Sequence, residues 1–229
     1  MPNIRLISFE LCPYVQRCVM TLREKGVAHD IDYVDLSDRP DWFVELSPLG
    51  KVPVLEVTRD DGSKVVIFES VVINEYLDEV TEGSMLPADP LERAYSRAWV
   101  EFGNAVLEDA FAITAAKDEA ALAKSLEKLG QKLDRLERKI GTGPFFLGAE
   151  VSLVDAAFTP ALQRLSWANE IHPAMAIFEA RPKVARWWNA LAARDSVRGS
   201  AVPDLRERFD KMIGRDRGGY RSVVGARIA

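Results

Sequence analysis

Cysteine and histidine are scarce in this sequence, with two of each among 229 residues. His29 and His172 have no partner at metal-ligand spacing, so no metal is expected. Cys12 and Cys18 lie too close together to make a useful structural staple, and the opening MPNIRLISFE lacks the basic, apolar and small-residue order of a secretory signal. A reducing, cytoplasmic setting is therefore expected. No run approaches the roughly 18 apolar residues of a membrane span, which argues against a membrane partner. A basic surplus is missing as well: the net charge is −5, which argues against non-specific nucleic-acid binding, since that needs many Lys and Arg against phosphates. Only the tail is locally basic, with four Arg and one Asp between Arg215 and Arg227. What remains, 48% hydrophobic and 28% charged residues, is the profile of a soluble globular protein with a full core.

Periodicity divides the chain into two regions. Ile4 to Phe9 is apolar and β-prone, and from Pro13 apolar residues recur at helical spacing through Val15, Cys18, Val19 and Leu22 until Gly26. A strand rhythm at Ile31, Tyr33 and Leu36 and a short helix at Asp41–Leu46 follow. Two strands, Val52–Val57 and Lys64–Phe68, flank the turn signal Asp60-Asp61-Gly62. A helix then begins near Ser70, a suitable N-cap. Residues 1–80 thus read βαβαββα, and 81–90, with Gly and two Pro after Thr81, read as a linker. From 91 to 229 no strand pattern returns. Leu91–Ala116 and Glu119–Ile140 are long and free of proline, Ser152-x-x-Asp155 offers a capping box, and Arg181-Pro182 starts another helix. Beyond about Met212 the chain reads as frayed or extended. The expected fold class is α/β plus all-α.

The stretch FELCPYVQRC holds both cysteines. Helical spacing puts Cys18 on the face of Val15, Val19 and Leu22, where it reads as a small core residue. Pairing with Cys12 would have to span about 9 Å of helix rise. Cys12 differs, because Pro13 at the first helical position leaves it at the N-cap, beside unpaired N–H groups and the positive end of the helix dipole. Both favour a thiolate. Lowering a thiol from ~8.5 to ~6 would raise its ionised share at pH 7 from about 3% to about 90%. The alternative reading is an inert buried thiol at a strand-to-helix turn. Val15 occupies the second Cys position of a Cys-x-x-Cys pair, so any disulfide formed at Cys12 needs an external thiol to resolve it.

These residues together resemble a known family, the cytosolic glutathione transferases. Cys12-Pro13-Tyr14-Val15-Gln16-Arg17 is similar to the Cys-Pro-(aromatic)-x-x-Arg segment of the omega class and of glutathione-dependent dehydroascorbate reductases. Arg39-Pro40-Asp41-Trp42-Phe43, Pro48–Leu55, Glu69-Ser70 and Ser152-x-x-Asp155 match further segments in the family's order. The resemblance implies a thioredoxin-like domain followed by a helical one, with glutathione as co-substrate and Cys12 as catalyst. It also implies that Val52 binds the cysteinyl backbone of glutathione, with Val52-Pro53 in cis. Glu69 and Ser70 would take the γ-glutamyl end, and Arg39, ahead of Lys51, the glycyl carboxylate. Tyr14, Phe111 and Trp167 would wall an acceptor pocket for a small electrophile or disulfide, and the protein would form a homodimer. The implied activity is thioltransfer, dehydroascorbate reduction, or reductive dehalogenation or ether cleavage. Conventional conjugation of glutathione to an electrophile is one alternative, and a non-catalytic binding module is another.

Overall fold

The computed structural model describes residues 3–216 and 221–228. Strands β1 (Asn3–Ser8), β2 (Asp30–Tyr33), β3 (Val54–Thr58) and β4 (Lys64–Phe68) form one sheet in the order β2-β1-β3-β4. β1 runs parallel to β2 and antiparallel to β3, and β3 is antiparallel to β4. Helices α1 (Pro13–Glu24), α2 (Asp41–Leu46) and α3 (Ser70–Glu79) are interleaved with these strands. The order is βαβαββα, a thioredoxin-like arrangement. The β3–β4 turn closes with Arg59 N–H on Ser63 O at 2.8 Å and Gly62 at φ +81°, a left-handed backbone that glycine adopts without steric cost.

Helices α4 (Pro90–Thr114), α5 (Glu119–Lys139), α6 (Leu153–Ile171), α7 (Pro182–Ala192), α8 (Asp195–Arg198) and α9 (Leu205–Ile213) make up the rest, with short 3₁₀ turns at Pro173–Met175 and Gly225–Arg227. α4 and α6 approach closely where Gly103 faces Ala157 and Phe158; a Cβ at Gly103 would lie 3.3 Å from both side chains. The start of α6 is a capping box around a fully buried carboxylate. Asp155 Oδ2 accepts from Ser152 N–H at 2.8 Å and from the Ser152 hydroxyl, while Oδ1 accepts from Phe146 N–H at 3.0 Å and Trp187 Nε1–H at 2.6 Å. Burial pushes this carboxyl up, and the four donors act against that shift.

Two apolar clusters share α1. Val15, Cys18, Val19 and Leu22 join the cluster of sheet residues, whereas Met20 joins the cluster built from the helical half. Buried on both faces, α1 carries its N-terminus to the seam between the halves. The region past Met212, expected to be frayed, packs down over its described part. Val223 N–H bonds Ala116 O at 2.9 Å, just past the end of α4, and Ser222 and Val224 are fully buried. Gly225 permits this approach, because a Cβ there would fall 2.0 Å from Ile213 O. The basic composition of the tail concealed two valines that find an apolar seat. Residues 217–220 of that basic stretch lie outside the described residues.

Candidate active site

Cys12 occupies the N-cap of α1 with φ −68° and ψ 115°, and Pro13 follows as the first helical residue. Its N–H bonds Phe9 O at 2.9 Å, closing the turn out of β1. Its Sγ lies 3.7 Å from Val52 O. The direction of its titration reverses the expectation from sequence. Burial pushes the Cys12 thiol up; the Val15 and Tyr14 backbone amides and the Arg164 and Arg17 guanidiniums pull it down without overcoming burial. Helix-terminal stabilisation is present as expected, but the turn is packed under the helical half, and desolvation of the charged form is the larger effect. Cys18 is fully buried, with its thiol pushed far up by burial.

Beside this turn lies a cavity of about 340 Å³. Tyr14, Lys51, Val52, Pro53, Glu69 and Ser70 all line it, and the Val52-Pro53 bond is cis. α3 begins one residue earlier than expected: Glu69, not Ser70, is the N-cap, at φ 68° and ψ 114° with no side-chain capping bond. An exposed glutamate is thus held in left-handed backbone at the mouth of a helix, an arrangement that costs roughly 1–3 kcal/mol and tends to occur at binding sites.

Cys12 itself is not among the lining residues, and three further expected residues lie elsewhere. Arg39 rests over Gly50, where a Cβ would meet its Nη1 at 2.8 Å, and it does not line the cavity; Lys51 does, which reverses their order. Phe111 is 45% exposed on α4, away from the cavity lining. Trp167 packs on Phe209, with ring centroids 5.3 Å apart, under the Arg206 guanidinium. Helical spacing in sequence could not tell which face of α4 or α6 turns toward α1. The wall across the seam comes instead from Asn104 and Glu108, one turn apart on α4. Beneath it Arg17 is fully buried, bonded to Asn104 Oδ1 at 2.7 Å and stacked 5.1 Å from the Tyr14 ring, with no hydrogen-bond partner for Nε and Nη2 among the described residues. Sequence had supplied Arg17 only as a motif position. Asn104 and Glu108 carried no signal beyond their spacing.

The family Glutathione S-transferase, N-terminal domain, matches residues 11–80, and Glutathione S-transferase, C-terminal domain, matches 119–190. Glutathione S-transferase omega-1 of Rattus norvegicus is 34% identical over 208 residues, covering 89% of this chain and 82% of the rat protein. The chain belongs to the glutathione transferase family. Among solved structures, glutathione transferase Omega 3C from Trametes versicolor superposes with a TM-score of 0.75 at 28% identity, covering 89% of this chain and 88% of that one. A glutathione transferase from Methylobacillus flagellatus with glutathione bound gives 0.68 at 25% identity, covering 86% and 98%. The protein is an omega-like glutathione transferase enzyme, and the cysteine at its first helix cap sits where its two halves meet. Among the described residues no cluster of three or more His, Cys, Asp and Glu is arranged to hold a metal, and no helix is long and apolar enough to cross a membrane.

Proposed function

We propose that this transferase catalyses glutathione-dependent thiol exchange through Cys12. The carrying observation is the 3.7 Å approach of Cys12 Sγ to the carbonyl of Val52, the cavity-lining residue whose backbone would pair with the cysteinyl unit of glutathione. Glutathione bound there would present its sulfur to Cys12. The Cys12 thiolate attacks the glutathionyl sulfur of a mixed disulfide, forming enzyme–S–S–glutathione and expelling the acceptor thiolate, which takes a proton. A second glutathione thiolate then attacks this disulfide, releasing oxidised glutathione and restoring Cys12. Glu69 would hold the α-amino group, Ser70 and the α3 N-terminus the α-carboxylate, and Lys51 the glycyl carboxylate. Cys18 is buried with its thiol directed at Tyr14 O and Ser70 O, which supports resolution by an external thiol.

The upward push on the free Cys12 thiol favours a second reading, in which bound glutathione itself attacks an electrophile. Initial rates with 2-hydroxyethyl disulfide, dehydroascorbate and a chloronitrobenzene, on wild type and Cys12→Ser, separate the two. Loss of both reductions with the conjugation retained supports thiol exchange at Cys12; unchanged reduction rates would overturn it. Two unpaired thiols suit a reducing cytoplasm. The exposed apolar side chains Phe68 and Val72 of the first half and Leu91 and Tyr95 of α4 fit a homodimer, which sedimentation velocity would test.

A further inference from the structure

We infer that Arg164 of α6 is a positioning residue that supplies the counter-charge for the Cys12 thiolate and clamps the turn that carries it. Only 5% of Arg164 is exposed. Its Nη2 donates to Leu11 O at 3.0 Å, directly before the nucleophile, and its Nη1 donates to Gln16 Oε1 at 2.8 Å, one turn after it, and to Pro160 O at 3.0 Å. Gln16 is fixed in turn, its Nε2 donating to Gln163 Oε1 at 2.7 Å and Ser200 Oγ at 3.1 Å. All of these acceptors are neutral, and among the described residues no carboxylate bonds to or pairs with Arg164.

A buried guanidinium without an anion is expensive, because neutral acceptors recover only part of its lost hydration. Burial draws Arg164 down to about 10, and Cys12 is the charged group acting in the opposite direction. Reciprocally, Arg164 stands ahead of Arg17 among the charges that favour the Cys12 thiolate. Arg17 acts on Cys12 in the same direction and stands after Arg164; its Nη1 donates to Asn104 Oδ1, whose Nδ2 donates to Glu101 at 2.9 Å. The titratable and charged groups facing Cys12 are Tyr14, Arg17 and Cys18 on α1 and Arg164 on α6. On the loop before it, Glu10 is paired with Arg208; across the cavity stands Glu69. Ionising Cys12 therefore completes a charge pair across the seam. The helical half becomes part of the nucleophile's electrostatics as well as a wall for substrate.

This inference rests on Cys12 being the nucleophile. The test reads thiol acidity without turnover: rates of Cys12 alkylation by iodoacetamide, followed by intact mass from pH 6 to 10.5, for wild type, Arg164→Gln and Arg164→Lys. An opposite charge at short range moves a pKa by about 1–3 units, so Arg164→Gln should raise the midpoint by one unit or more and slow alkylation at pH 7 about tenfold. Arg164→Lys, whose buried ammonium gives up its charge more readily than a guanidinium, should raise the midpoint too, by no more than Arg164→Gln does. Equal midpoints for wild type and Arg164→Gln would overturn the counter-charge role. If Arg164→Gln does not fold, Arg164→Lys decides, a midpoint equal to that of wild type overturning the inference. Cys12→Ser activity reports separately on the proposed function: retained disulfide reduction there sinks that reading, whereas an unmoved alkylation midpoint sinks only the role of Arg164.

Discussion

Glu69 combines two properties that ordinary residues do not share. It is exposed with its carboxylate outside every ion pair among the described residues, and its backbone sits at φ 68°. Replacing it by Ala keeps the backbone demand and removes the side chain; replacing it by Gly removes both. At an ordinary site Gly is less stable than Ala by about 0.4–1 kcal/mol, through the larger freedom of the unfolded chain. Here relief of about 1–3 kcal/mol of left-handed strain opposes that cost, so Glu69→Gly should exceed Glu69→Ala in stability by up to about 2 kcal/mol. Glu69→Gln keeps the backbone and the length while removing the charge. Losing a charge-assisted bond to the glutathione amino group, discounted for exposure to roughly 1–2 kcal/mol, should weaken glutathione about five- to thirtyfold in all three variants. Urea titration by circular dichroism gives the stabilities, and isothermal titration gives the affinities. A Gly variant less stable than the Ala variant would refute the strain argument. Unchanged affinity in Glu69→Gln would refute the assignment of the carboxylate.

Asp155→Ala strands the buried N–H groups of Ser152, Phe146 and Trp187. At about 1–3 kcal/mol each, with some rescue by entering water, the loss should be roughly 3–5 kcal/mol in urea unfolding followed by tryptophan fluorescence; under 1 kcal/mol would contradict it. Both folded thiols are pushed up by burial, so they stay neutral while unfolded thiols ionise near ~8.5. Their contribution is complete below that pH and is lost as pH rises toward the folded values, at up to about 1.4 kcal/mol per unit and group. Cys18→Ala should flatten this alkaline decline in urea midpoints between pH 8 and 10, and parallel curves would count against it. Lys51→Ala should raise the KM for glutathione about two- to fivefold, the scale of an exposed charge pair, and Arg39→Ala by less; the opposite ranking in steady-state kinetics would restore Arg39 to the site.

Much of the site was legible because its parts are local. The N-cap position of Cys12 follows from Pro13, and the core position of Cys18 follows from the helical repeat with Val15, Val19 and Leu22. The capping box at Ser152 and Asp155 is spelled out in four consecutive residues. What could not be read was orientation across the seam. Phe111 was the wall expected from α4, and the rotation of that helix presents Asn104 and Glu108 instead. Glu69 took the N-cap expected of Ser70 because a left-handed glutamate has no sequence signature.

The sequence by itself determined the elements, their order and the chemistry at one helix cap, because caps, turns and periodicities are set by neighbours in the chain. The tertiary structure alone decided the balance at Cys12. A helix N-terminus lowers a thiol, burial raises it, and which effect wins depends on how deeply the second half covers the turn. It also brought Arg164 against Leu11 and Gln16 from about 150 residues away, a placement no local pattern encodes.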